Sequence, residues 1–119
     1  MHTMSRVDKK RTSLIERLLK ANDDFPLLAK ELSRYEWDFG GIPVLLEKEH
    51  VEDILERYVE GKIDADFLHE WAEFIELRDD IDYPEEDEAV LLEIVHALAT
   101  PHVEGELTSA RAKAWIEKL

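Results

Sequence analysis

Two amphipathic helical patterns meet at Gly61-Lys62-Ile63-Asp64, and this junction constrains the fold more than any other stretch of the chain. Upstream of it, Val51, Ile54, Leu55, Tyr58 and Val59 recur at helical spacing. A helix from about Glu49 to Glu60 therefore turns one apolar stripe inward and leaves Glu52, Asp53, Glu56 and Glu60 in water. Gly61 ends that helix, because glycine takes the left-handed conformation after a last turn at little steric cost. Asp64 then caps the next helix by accepting a hydrogen bond from a free backbone N–H. That helix runs from Ala65 to about Leu77. Its apolar positions Phe67, Leu68, Trp71, Ala72, Phe74 and Ile75 are wider than one stripe, which predicts a central helix with neighbours on more than one side.

The flanking segments follow the same logic. Met1 to Arg11 shows no usable periodicity and is expected to be a disordered basic arm, with residues 12–119 forming a single helical domain. Thr12 or Ser13 caps a first helix with Leu14, Ile15, Leu18 and Leu19 on one face. Asp23 or Asp24 opens a second, with Pro26 in its first turn and Leu28, Leu32 and Tyr35 inward, so that the two form a short hairpin. Gly40, Gly41 and Pro43 forbid a continuous helix, and Val44-Leu45-Leu46 is too short to separate an extended segment from a helix start. After an acidic turn, a helix from about Glu85 to Ala99 carries Val90, Leu91, Ile94, Val95 and Leu98 as its core stripe and stops at Thr100-Pro101. Thr108 caps a final helix with Ala112, Trp115, Ile116 and Leu119 inward. The expected class is all-α: a compact bundle of five or six short helices.

Charge narrows the partners. The chain of 119 residues has 29 acidic and 15 basic side chains, a net charge of −14. Nucleic acid is an unsuitable direct partner, because phosphate binding needs Lys and Arg to displace counterions. The acidity is concentrated: residues 47–88 hold eighteen acidic and four basic groups, whereas residues 1–20 hold six basic and two acidic. A solvated, solubilising surface is the plain explanation. The absence of cysteine rules out disulfides, thiolate metal sites and a cysteine nucleophile. With no apolar run of membrane-spanning length, a soluble, cytoplasmic protein without membrane contacts is expected.

Motifs that would carry chemistry fail on spacing. Glu47 with His50 and Glu93 with His96 have the Glu-x-x-His spacing of dinuclear carboxylate sites, but Glu93 falls opposite the apolar stripe of its helix and points to water. His69-Glu70-Trp71-Ala72-Glu73 lacks the second histidine of a zinc-protease helix. In the acidic turn, Asp80 and Asp82 begin like a calcium loop, yet Glu85 stands where glycine is needed and Leu91 where a bidentate glutamate is needed. Asp38-Phe39-Gly40 lacks every other kinase element, and no serine sits in a nucleophile elbow. Neither a metal nor a cofactor is expected, and no enzymatic activity.

The segment Tyr58-Val59-Glu60-Gly61-Lys62-Ile63-Asp64-Ala65-Asp66-Phe67, followed by Trp71, resembles the helix-turn-helix core of the self-protective, colicin-like immunity proteins of bacteriocins. The resemblance covers about the middle third of the chain. It implies a small, acidic, cytoplasmic, non-enzymatic inhibitor that occupies the basic substrate surface of a cognate nuclease-type toxin, with carboxylates in place of phosphates. The contact residues expected on that basis are Asp79, Asp80, Asp82, Glu85 and Glu86, with Tyr83 as an aromatic anchor. The competing expectation is an acidic helical adaptor or regulatory module that binds a peptide or another helix.

Overall fold

The stop and start signals around Gly61 act as their residue types require. In the computed structural model, which describes residues 6–20, 25–32, 43–76, 78 and 80–119, helix α3 (Lys48–Val59) ends in Glu60 and Gly61, and Gly61 adopts φ +79°. The Gly61 N–H donates to Tyr58 O at 3.0 Å and the Lys62 N–H to Arg57 O at 2.9 Å, so carbonyls left over at the helix end are satisfied. Asp64 Oδ1 accepts from the Phe67 N–H at 2.8 Å and opens α4 (Ala65–Glu76).

In chain order the elements are α1 (Arg6–Leu19), α2 (Phe25–Leu32), β1 (Val44–Leu45), α3, α4, β2 (Ile81–Asp82), a 3-10 turn (Glu85–Asp87), α5 (Glu88–Ala99), α6 (Pro101–Glu104) and α7 (Ser109–Lys118). The class is all-α, as the periodicity predicts. Val44-Leu45, ambiguous in sequence, is extended and pairs in parallel with Ile81-Asp82, in the register Val44 with Ile81 and Leu45 with Asp82. The Val44 N–H donates to Asp80 O at 2.9 Å and the Leu46 N–H to Asp82 O at 2.8 Å. Among the described residues no helix is long and apolar enough to cross a membrane.

α4 is the hub. It packs along α5, while α3 packs against α7 and α1 against α2. The fully buried Trp71 donates from Nε1 to Leu18 O at 3.2 Å, joining α4 to α1. Phe25 of α2 meets Phe67 and Phe74 of α4 at ring-centroid distances of 5.5 and 6.3 Å. Leu14, Ile15, Leu18 and Leu19 of α1, Ile54 and Leu55 of α3, and Leu91, Ile94, Val95 and Leu98 of α5 complete a single core. Tyr58 and Phe67 are half-buried at its margin.

Three boundaries differ from expectation. The arm expected over residues 1–11 is helical from Arg6 onward, and Arg11 is buried in the fold; residues 1–5 lie outside the described residues. Periodicity gives no sign of the buried charge of Arg11 at the end of this segment. The helix expected from Glu85 begins with a 3-10 turn and becomes α-helical at Glu88. Pro101 does end α5, but its fixed φ also suits a first helical position, so a further short helix, α6, starts there. The expected extension of the second helix to Tyr35, and the Gly40-Gly41 loop, lie outside the described residues.

Candidate interaction surface

The acidic run between α4 and α5 is divided by burial. Asp80 is 2% exposed and lies beside two arginines. Arg78 Nε donates to Asp80 Oδ1 at 2.7 Å, Arg78 Nη2 donates to Oδ2, and the Arg11 guanidinium lies 4.0 Å from that second oxygen. Arg78 also reaches Leu32 O at 3.4 Å and stands over the Phe74 ring, 5.4 Å from its centroid. Asp80 therefore ties α1, α2, α4 and the strand pair together. This corrects its expected role as a contact residue, because a buried carboxylate occupied by the Arg78 fork presents almost no surface to a partner. Sequence alone shows a charge in a charged run and not the burial that surrounds it. Asp79 lies outside the described residues.

The remaining predicted contacts converge on one end of α5. Asp82 and Asp80 accept the strand hydrogen bonds with their carbonyls, which fixes the backbone on which the exposed Asp82 carboxylate stands. Asp82 Oδ1 accepts from the Tyr83 N–H at 2.8 Å. Tyr83 is half-buried against the core. Burial raises the pKa of its phenol, and the nearby charges of Glu76 and Asp82 add to the rise, so the hydroxyl stays protonated above the usual tyrosine range. Pro84 carries the chain into the 3-10 turn, where Glu85 and Glu86 are exposed, and Glu88 is exposed in the first turn of α5. Carboxylates here are favoured by the dipole of α5.

Packing of α4 on α5 adds two residues that no sequence spacing connects. His96 Nδ1 lies 3.0 Å from Glu76 Oε1, twenty residues away in the chain, and both side chains are solvent-accessible. Glu76 thereby joins the border of the acidic surface. The other candidate spacings resolve into structural contacts. Glu93 is exposed and pairs with Lys118 of α7 at 3.1 Å. His50 Nδ1 accepts from the Glu47 N–H at 3.0 Å, capping α3. Burial pulls the His50 pKa below its ordinary value, against the nearby charges of Glu47 and Glu49. His69 contacts Leu98 O through Nδ1 at 3.2 Å and Glu73 through Nε2 at 3.1 Å. Among the described residues no group of three or more His, Asp or Glu side chains converges as a metal site would require.

Comparisons with protein-family models, with curated proteins and with solved structures find no match.

Proposed function

We propose that this chain is a non-enzymatic, cytoplasmic inhibitor that binds a basic protein partner, in the manner of an immunity protein neutralising a nuclease-type bacteriocin. One observation carries the reading. Asp82, Glu85 and Glu86 are exposed and flank Tyr83 in the chain, next to a backbone held by the strand pair and by the Arg78–Asp80 contact. A preorganised acidic surface loses little conformational entropy on docking. Its aromatic centre supplies apolar area, and the net charge of −14 steers it toward a basic surface. The resemblance around Gly61 favours a toxin over other basic partners.

The test is a salt titration of binding to the basic protein retained by the chain in affinity capture from source cells. The parent is compared with a triple variant, Asp82→Asn, Glu85→Gln and Glu86→Gln, that leaves the structural Asp80 in place. Parent affinity falls steeply with added salt, and the variant binds at least tenfold more weakly at low salt while melting like the parent. Salt-independent binding, or equal affinities, would reject the electrostatic reading and favour an adaptor that docks through apolar contacts.

A further inference from the structure

At the opposite end of α5 from the acidic turn, a cavity of 270 Å³ opens between the start of α4, the end of α5 and the loop into α7. That volume is slightly below the ~300–1,000 Å³ of drug-sized sites, so only a small molecule fits. Ala65, Leu98, Leu107 and Trp115 contribute apolar wall, and Arg111 projects into it from the first turn of α7.

Local structure holds Arg111 in one orientation. Thr108 Oγ1 accepts from the Arg111 N–H at 3.2 Å, which caps α7. The side chain then folds back, and its Nη1 donates to Gly105 O at 2.9 Å and Glu106 O at 3.1 Å. The guanidinium carbon lies 4.9 Å from the centroid of the Trp115 ring. Gly105 takes φ +96° to turn its carbonyl region toward this group, and Tyr58 Oη donates to Leu107 O at 3.3 Å, pinning the same loop from α3. Among the described residues, nothing engages the other edge of Arg111, formed by Nε and Nη2. That edge is the side-on fork that binds a carboxylate through two parallel hydrogen bonds.

The rest of the lining limits the ligand. Asp66 and Glu106 also border the cavity and are exposed, so a bare anion meets two carboxylates as well as the field of a strongly acidic chain. His69 offers no further ring nitrogen, since both contact acceptors. A molecule that carries an ammonium beside its carboxylate satisfies the fork and the acidic border at once and is not repelled at long range.

We propose that this cavity binds a small apolar α-amino acid, its carboxylate on Arg111, its ammonium toward Asp66 and Glu106, and its side chain against Leu98, Leu107 and Trp115. The site is separate from the acidic turn, and it stands or falls independently of the basic partner.

The experiment titrates L-leucine into 15N-labelled protein and follows the indole resonance of Trp115. Two skeletal analogues run in parallel: 4-methylpentanoate, which lacks the ammonium, and 3-methylbutylamine, which lacks the carboxylate. Leucine shifts the resonance saturably, 4-methylpentanoate binds several-fold more weakly, and the amine does not saturate. Arg111→Lys keeps the charge but loses the fork, and lowers leucine affinity at least tenfold. Ala65→Phe fills the cavity with Arg111 left intact and abolishes binding, which guards against loop damage in the arginine variant; melting curves confirm that both fold. Absence of saturable leucine binding overturns the proposal. So does binding that survives either substitution, or equal or tighter binding of either analogue.

Discussion

Replacing Asp80 with alanine removes a carboxylate that the fold has enclosed and takes away the acceptor of both Arg78 hydrogen bonds. Asp80 is 2% exposed, Arg78 makes two hydrogen bonds to it, one of them at 2.7 Å, and Arg11 lies at 4.0 Å. A hydrogen bond to a charged group contributes about 1.5–3 kcal/mol. The desolvation cost of the aspartate, no longer incurred in the variant, offsets part of that sum. Truncating one member of a buried pair costs about 3–5 kcal/mol in total, because the remaining charge stays buried. Against a usual stability of about 5–15 kcal/mol, that is a large share. At roughly 4 °C per kcal/mol for a domain of this size, Tm falls by about 12–20 °C. Urea unfolding followed by far-UV circular dichroism measures the change. A cycle with Arg78→Leu separates the pair from its surroundings: the double variant should be less damaged than the two single losses summed, by at least ~1 kcal/mol. A loss below ~1 kcal/mol for Asp80→Ala with an unchanged m-value, or an additive cycle, would refute the structural role.

Three further outcomes test the fold. Trp71→Ala removes a fully buried indole and its bond to Leu18 O, and should cost about 3–5 kcal/mol in the same urea assay; an unchanged midpoint would displace α4 from the centre. Gly61→Val meets no atom within 4 Å at its new Cβ, so its cost is backbone strain alone at φ +79°; about 1–2 kcal/mol is expected, and a neutral result would dismiss the left-handed helix end. His50 has a folded-state pKa below that of the unfolded chain, so its contribution is present above about pH 6.5 and is lost as pH falls through the folded value. Protonation also removes the Nδ1 acceptor that caps α3. His50→Gln, which keeps an acceptor at that position, should therefore flatten the decline of Tm between pH 7 and 5, and matching slopes in parent and variant would contradict the assignment.

Gly61, Asp64 and Thr108 were legible in the sequence because each acts on its own turn, through backbone conformation or a cap a few residues away. The inward stripes of α1, α3 and α5 were legible for a related reason, since burial follows the helical period. What sequence could not show depends on distant segments meeting. The place of Asp80 depends on Arg78 and on Arg11, which lies 69 positions earlier in α1, and no local pattern connects them. Val44-Leu45 is extended because Asp80 and Asp82 offer it carbonyls, not because two residues carry a pattern. In the acidic turn, composition distinguished neither Asp80 from Asp82 nor the approach of His96 to Glu76. In sequence Arg111 is one more charge on a helix, and only the Gly105 and Glu106 carbonyls that hold its guanidinium single it out.

The partners of α3 and α4 have a consequence for synthesis. These helices are adjacent in the chain, yet α4 packs along α5 and α3 against α7, both of which follow them. During translation the apolar face of α4, with Leu68 and Ile75, leaves the ribosome before its main cover exists. The face of α3, with Val51, Ile54 and Leu55, waits longer still, until Ala112 and Trp115 of α7 have emerged. For that interval the nascent chain exposes apolar surface of the kind that chaperones bind and that aggregates. The carboxylates on the outward faces of the same helices, among them Glu56, Glu60, Glu70 and Glu73, keep such nascent chains apart by mutual repulsion.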